Sequence, residues 1–122
     1  MKAEVLVDGG VCGFQTRIRT DSDDDQNVSF KIASGCEKVR AFGEALAAKG
    51  LVDGYEEIGA GWDGVVLTTA HGILKGCCAG CAVSFAAFKA LQVAARVALP
   101  RDVTLTFAQD AASDPMHPGM NG

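Results

Sequence analysis

Five cysteines occur in this chain of 122 residues, and they fall at three loci. Cys12 lies in Gly9-Gly10-Val11-Cys12-Gly13-Phe14, Cys36 in Ser34-Gly35-Cys36-Glu37, and the rest in Gly76-Cys77-Cys78-Ala79-Gly80-Cys81. Thiolates ligate zinc and iron-sulfur clusters, and the Cys78-Ala-Gly-Cys81 spacing puts two sulfurs within reach of one metal. Glycine flanks every locus, which permits tight backbone conformations and close approach of a ligand. Cys36 and the Cys78/Cys81 pair stand where helices are expected to begin, and the positive end of a helix favours a thiolate. Thiols at such termini are presented together when a scaffold gathers its connections at one end of a sheet. Convergence of Cys12, Cys36, Cys78 and Cys81 on one metal centre is therefore expected, an iron-sulfur cluster before zinc. Cys77 is a reserve thiol, and His71, close in sequence to the cluster, is a further candidate ligand.

Other chemistries compete for the same residues. Cys78 and Cys81 could cycle between dithiol and disulfide, or one cysteine could carry a persulfide, which would make this a thiol redox or sulfur-transfer protein. The cysteines could also hold a structural zinc ion, or simply pack inside a partner-binding domain. No Ser/His/Asp set, paired-carboxylate constellation or phosphate-binding glycine loop stands out, so binding is expected rather than catalysis. The acidic run Asp21 to Asn27 lacks the glycine and terminal glutamate of a calcium-binding loop and reads as a solvated loop tip. His117 sits in a Pro-Met-His-Pro tail.

With 48% hydrophobic and 21% charged residues the chain has a globular composition. A net charge of -4 leaves no basic surface to neutralise phosphates, which argues against nucleic acid and anionic membranes as partners. The first residues lack the pattern of a signal peptide, and no apolar stretch is expected to reach the length of a membrane span. A cytoplasmic location follows, and there thiols are kept reduced for metals or redox work.

The elements that must position the thiols follow from periodicity. Lys2 to Val7 alternate, and so do Phe14 to Arg19 and Val28 to Ile32, giving strands with an antiparallel hairpin around the acidic loop. Glu37 to Lys49 has helical spacing, with Val39, Phe42 and Leu46 on one stripe and Gly50 placed to end it. Leu51 to Gly64 is glycine-rich and reads as irregular, with Tyr55 and Trp62 anchoring it on the core. Val65 to Leu74 fits a short helix or, from its β-branched residues, a strand. Ala82 to Leu99 reads as the longest helix, with Phe85, Phe88, Leu91 and Ala95 on its packed side and Pro100 ending it. Val103, Leu105 and Phe107 alternate as a last strand. Together these give one α+β domain, residues 1–110, with a three- or four-stranded antiparallel sheet and helices on one face. Residues 111–122 have the composition of a flexible tail.

The order of these features resembles the U-type iron-sulfur cluster assembly scaffolds over about Val11 to Leu99. In that family a Cys-Gly follows a strand, a Gly-Cys opens a helix, and a third cysteine starts the C-terminal helix. Cys12, Cys36, and Cys81 or Cys78 occupy those places, and Cys81-Ala-Val-Ser-Phe-Ala-Ala-Phe-Lys89 looks like the family's last helix. The resemblance implies a scaffold-like fold, cluster-bearing thiols and a protein partner in cluster or sulfur transfer. Phe14 stands where the scaffolds carry the acid that assists cluster release, and their leucine-proline-proline motif is missing. The segment Ala98-Leu99-Pro100-Arg101-Asp102-Val103 is similar to a small family of uncharacterised proteins from anaerobic microbes. The extra cysteines at 77 and 78 could complete a four-thiolate site that retains its cluster.

Overall fold

A computed structural model describes residues 1–108 of the chain. Three long strands form first: β1 (Lys2–Asp8), β2 (Gln15–Asp21) and β3 (Asn27–Ser34). A fourth, β4 (Val52–Asp53), is only two residues long, and the sheet is antiparallel in the order β1-β2-β3-β4. Alternation decides which face is covered. Val7, Thr16, Ile18, Thr20, Val28 and Phe30 are buried, while Leu6, Arg17, Arg19, Ser29 and Lys31 on the other face are exposed. On that outer face Glu4 pairs with Arg17 at 2.8 Å.

Helices cover the inner face alone. The first, α1 (Glu37–Ala48), buries the expected Val39, Phe42 and Leu46 against β3. Gly43 lets it lie close, because a Cβ there would stand 2.9 Å from that of Ile32. Gly50 ends the turn after α1 in a left-handed conformation, φ 75°. The α+β class, the antiparallel sheet and the one-sided helices are as the periodicity indicates.

Residues 54–63 differ from the expected irregular segment. They form α2 (Gly54–Ala60) and a 3-10 turn at Gly61–Asp63. Asp53 caps α2, its carboxylate accepting from the backbone amides of Tyr55 and Glu56. Neither aromatic anchors this region to the core: Tyr55 is 50% and Trp62 60% exposed. The anchor is Glu57, only 3% exposed. Its carboxylate accepts the amides of Val65 at 2.7 Å and Val66 at 2.8 Å, and so opens the next helix. That helix, α3 (Val65–Ile73), is the helical alternative for this segment, with Val66, Leu67 and Ala70 buried.

The last helix, α4 (Val83–Ala94), is shorter than expected and turned differently about its axis. Leu91 and Ala95 are buried as expected, but Phe85 is 47% exposed, and Ala87, Ala90 and Ala94 fill the contact with β1 and β2. Small side chains bring the helix backbone near the sheet, and the Thr20 hydroxyl donates to the Ala90 carbonyl at 2.8 Å. The helix ends well before Pro100. Arg96 takes a left-handed conformation, φ 64°, with Arg96 N donating to the Val93 carbonyl and Val97 N to that of Gln92. That pair of bonds is a Schellman ending with arginine where glycine is usual. The side chain is held at 3.0 Å by Asp25, itself at positive φ.

Two other expectations change. Val103, Leu105 and Phe107 alternate but form no strand, and each is more than 60% exposed. Gly76–Ala94 does have the length and apolarity of a membrane span. It is not continuous, however, being divided at Cys81–Ala82 between a 3-10 turn and α4, whose apolar face lies on the sheet. The tail at 111–122, with His117, lies outside the described residues.

Candidate thiol site at one end of the sheet

The first locus is a tight connection between β1 and β2. A 3-10 turn at Gly10–Cys12 is closed by Gly13 in a left-handed conformation, and Gly13 N donates to the Gly10 carbonyl. Gly10 also has positive φ, 72°, and its amide donates to the Asp8 carboxylate at 2.9 Å. The Cys12 side chain folds back over Gly9: a Cβ on Gly9 would lie 2.5 Å from Cys12 Sγ. Glycine at position 9 is what gives the sulfur that place.

Cys36 occupies the N-cap position of α1, with extended backbone and no side-chain capping bond. Its amide donates to Ser34 Oγ at 3.0 Å, and that oxygen is 2.8 Å from Thr16 Oγ1. Gly35 N reaches the Gln15 carbonyl at 3.4 Å, and the Phe14 ring passes 3.3 Å from where a Gly35 Cβ would be. The Cys12 connection and the Cys36 junction thus lie side by side at one sheet end, joined across Phe14.

The direction of α4 puts the third locus at that end as well. Its far terminus is fixed at the other end, where Met1 N donates to the carbonyls of Ala94 and Ser22. From the Thr20–Ala90 contact, α4 runs back about 10 Å to Val83, a rise that strands cover in about three residues. Just before Val83, Gly76–Gly80 form a 3-10 turn, with Cys81 N donating to the Cys78 carbonyl at 3.1 Å.

All five thiols are free. Cys12 and Cys77 are exposed, and Cys36, Cys78 and Cys81 are half-buried, each of these three packed against the core. None is sealed inside the protein as an inert apolar group. The loci share one end of the sheet, yet among the described residues no three His, Cys, Asp or Glu side chains are grouped closely enough to hold one metal ion. The gathering is at the scale of elements rather than of a closed ligand set.

His71, the further candidate ligand, lies at the end of α3. It is exposed and stacks on Trp62, ring centroids 5.7 Å apart at 20°, while Phe85 meets the same indole edge-on at 5.7 Å. This aromatic trio joins the 3-10 turn before α3, the end of α3 and the first turn of α4. Phe85 lies four residues beyond Cys81, so the trio adjoins the thiol-bearing turn in sequence. Its only sequence signal was three aromatic rings near helix ends.

The acidic loop is structural. Asp24 accepts from the amides of Gln26 and Asn27, from Asn27 Nδ2 and from Ser22 Oγ. These bonds, that of the Asn27 side chain foremost, hold its carboxyl well below the usual carboxylate range. Asp53 is lowered too, first by the Gln26 side-chain amide and then by the Glu56 backbone.

No curated protein and no solved structure gives a significant match to the chain. A family profile does, over residues 3–107, which takes in all three cysteine loci and every described element of the fold except the first residue of β1. The chain belongs to that family, described as a family of unknown function, DUF6951.

Proposed function

We propose that this protein binds a metal centre, an iron-sulfur cluster in preference to zinc, through Cys12, Cys36, Cys78 and Cys81. The observation that supports the reading is that the Cys12 turn and the Cys36 junction meet across Phe14 at one sheet end, and that α4, which follows the third thiol-bearing turn, starts on the side of the sheet away from the Met1–Ala94 contact. Thiolate-only donor chemistry fits both an iron-sulfur cluster and zinc. In this reading the centre draws its ligands together from glycine-rich turns on binding, with the ordering energy coming from the metal-sulfur bonds. Such an arrangement suits a cluster that is taken up and passed on, with a protein partner to receive it. The resemblance to U-type scaffolds belongs to the same proposal. Cys77, exposed beside Cys78, is a spare thiol, and His71, stacked on Trp62, is a further candidate ligand.

A thiol redox or sulfur-transfer role is the second reading. It is favoured by the single turn that joins Cys78 to Cys81 and by the accessibility of all five free thiols.

The test is elemental analysis and an absorption spectrum on protein purified without oxygen. Iron with labile sulfide and a broad band at roughly 400 nm is the expected result. The band should be lost in each of Cys12→Ser, Cys36→Ser and Cys81→Ser. Zinc without colour would replace the cluster by a structural ion. Metal-free protein that takes up neither iron with sulfide nor zinc, and whose thiol count falls reversibly with mild oxidant, would replace metal binding by redox chemistry.

A further inference from the structure

Residues 102–108, beyond α4, have the pattern of a strand and lack a partner among the described residues. Asp102-Val103-Thr104-Leu105-Thr106-Phe107-Ala108 alternates apolar and polar residues, with β-branched and aromatic side chains throughout. Val103 is 63%, Leu105 83% and Phe107 98% exposed. Among the described residues, none from 102 to 108 makes a backbone hydrogen bond to another part of the chain. The segment is nonetheless within the span matched by the family profile, almost to its end.

The sheet has an opening that fits it. β1 is an outer strand, paired among the described residues with β2 alone, so within them the other edge of its seven residues carries unused amides and carbonyls. The inner face is also incompletely covered there. On β2, Thr16, Ile18 and Thr20 are at most 5% exposed, whereas Ala3 and Val5 on β1 are only half-buried under α4.

We propose that residues 102–108 pair in parallel with the free edge of β1 in a second copy of this chain, and that the exchange is reciprocal. In the register that sets Asp102 beside Lys2, Val103, Leu105 and Phe107 fall in phase with Ala3, Val5 and Val7. The three apolar side chains then close the half-covered inner face, and Asp102 meets the charge of Lys2. An antiparallel strand over the same seven residues would instead set Asp102 against Asp8. The hinge is the turn at Pro100, where Arg101 N donates to the Leu99 carbonyl at 2.8 Å, and which leaves the segment undocked on its own sheet. Exchange of a terminal element between identical chains is a low-cost route to a dimer. The inference does not depend on the thiol reading.

Light scattering on the full chain, with amide hydrogen exchange at several protein concentrations, tests it. The expected mass is twice the 12.6 kDa of one chain. Protection at residues 103–107 and along β1 should rise with concentration. The double variant Leu105→Lys, Phe107→Lys should run as a monomer with an unchanged circular dichroism spectrum, since both side chains stand in solvent in the single chain. Lys2→Asp should weaken the dimer, and adding Asp102→Lys should restore it. A wild-type monomer at all concentrations would overturn the proposal. So would protection independent of concentration, which would place the segment on its own β1, or a dimer that survives the double variant.

Discussion

The two ends of the sheet are built from different materials. At the end that carries the acidic loop, β4 and the last turn of α4, the connections are stitched by side chains. Asp24 gathers the hairpin loop, Asp25 holds Arg96, Gln26 Nε2 donates to Asp53 at 2.8 Å, and Asp53 caps α2. At the thiol end the turns rest on glycine and on backbone bonds, with the Thr16–Ser34 pair and the Asp8 carboxylate among the few polar side chains engaged there. Side-chain bonds hold one end and glycine with backbone bonds the other, so a side-chain substitution should act more strongly at the first.

That contrast can be broken by mutation. Glu57→Ala should have the largest effect, a loss of about 3 kcal/mol in chemical denaturation, because two amides at the start of α3, one part-buried and one buried, lose a charged acceptor. Thr20→Val should cost about 1 kcal/mol, the usual worth of one buried hydrogen bond. Thr16→Val, nearer the thiols on the same strand, should cost a similar amount and also free Ser34, so that Cys36 alkylates faster. An unchanged Cys36 rate would show that the serine alone holds the junction.

Acid should act on the stitched end. A carboxylate whose pKa is depressed by folding adds stability that is complete above its unfolded value and is given up as pH falls through the folded one. For Asp24 the melting temperature should therefore drop between about pH 5 and about pH 2, and Asp24→Asn should make that drop shallower. Cys12→Ser should leave the acid limb unaltered. Its own effect on stability should be the smallest of the series, within about 0.5 kcal/mol, as for other exposed positions. A larger loss would mean that the Cys12 turn is as fixed as the acidic loop.

The strands and α1 were legible because each presents one face to the core, so that period alone reveals them. Where packing depends on small residues, periodicity misleads. Phe85 looks like a core residue of α4, but the alanines do the packing and the phenylalanine is turned outward. The end of α4 was hidden for a similar reason, since its left-handed position is filled by Arg96 and an ion pair rather than by glycine. α2 was overlooked among glycines although Asp53, followed by Glu56 and Glu57, is a helix-start pattern. Alternation at 103–107 pointed to a strand that the structure does not form, because a strand needs an edge to pair with as well as the pattern. Of the site, the three junctions could be read from glycine and cysteine. The bridging of two of them by Phe14 could not, nor could the aromatic trio, because both depend on how distant segments meet.

Trp62 is the sole tryptophan of the chain, and it stands half in solvent between His71 and Phe85, the latter four residues beyond Cys81. Its emission is consequently a built-in optical gauge of that part of the molecule. Any occupant that absorbs near the indole band, or that shifts the start of α4, will dim or recolour it, and events at the acidic loop will leave it dark to them.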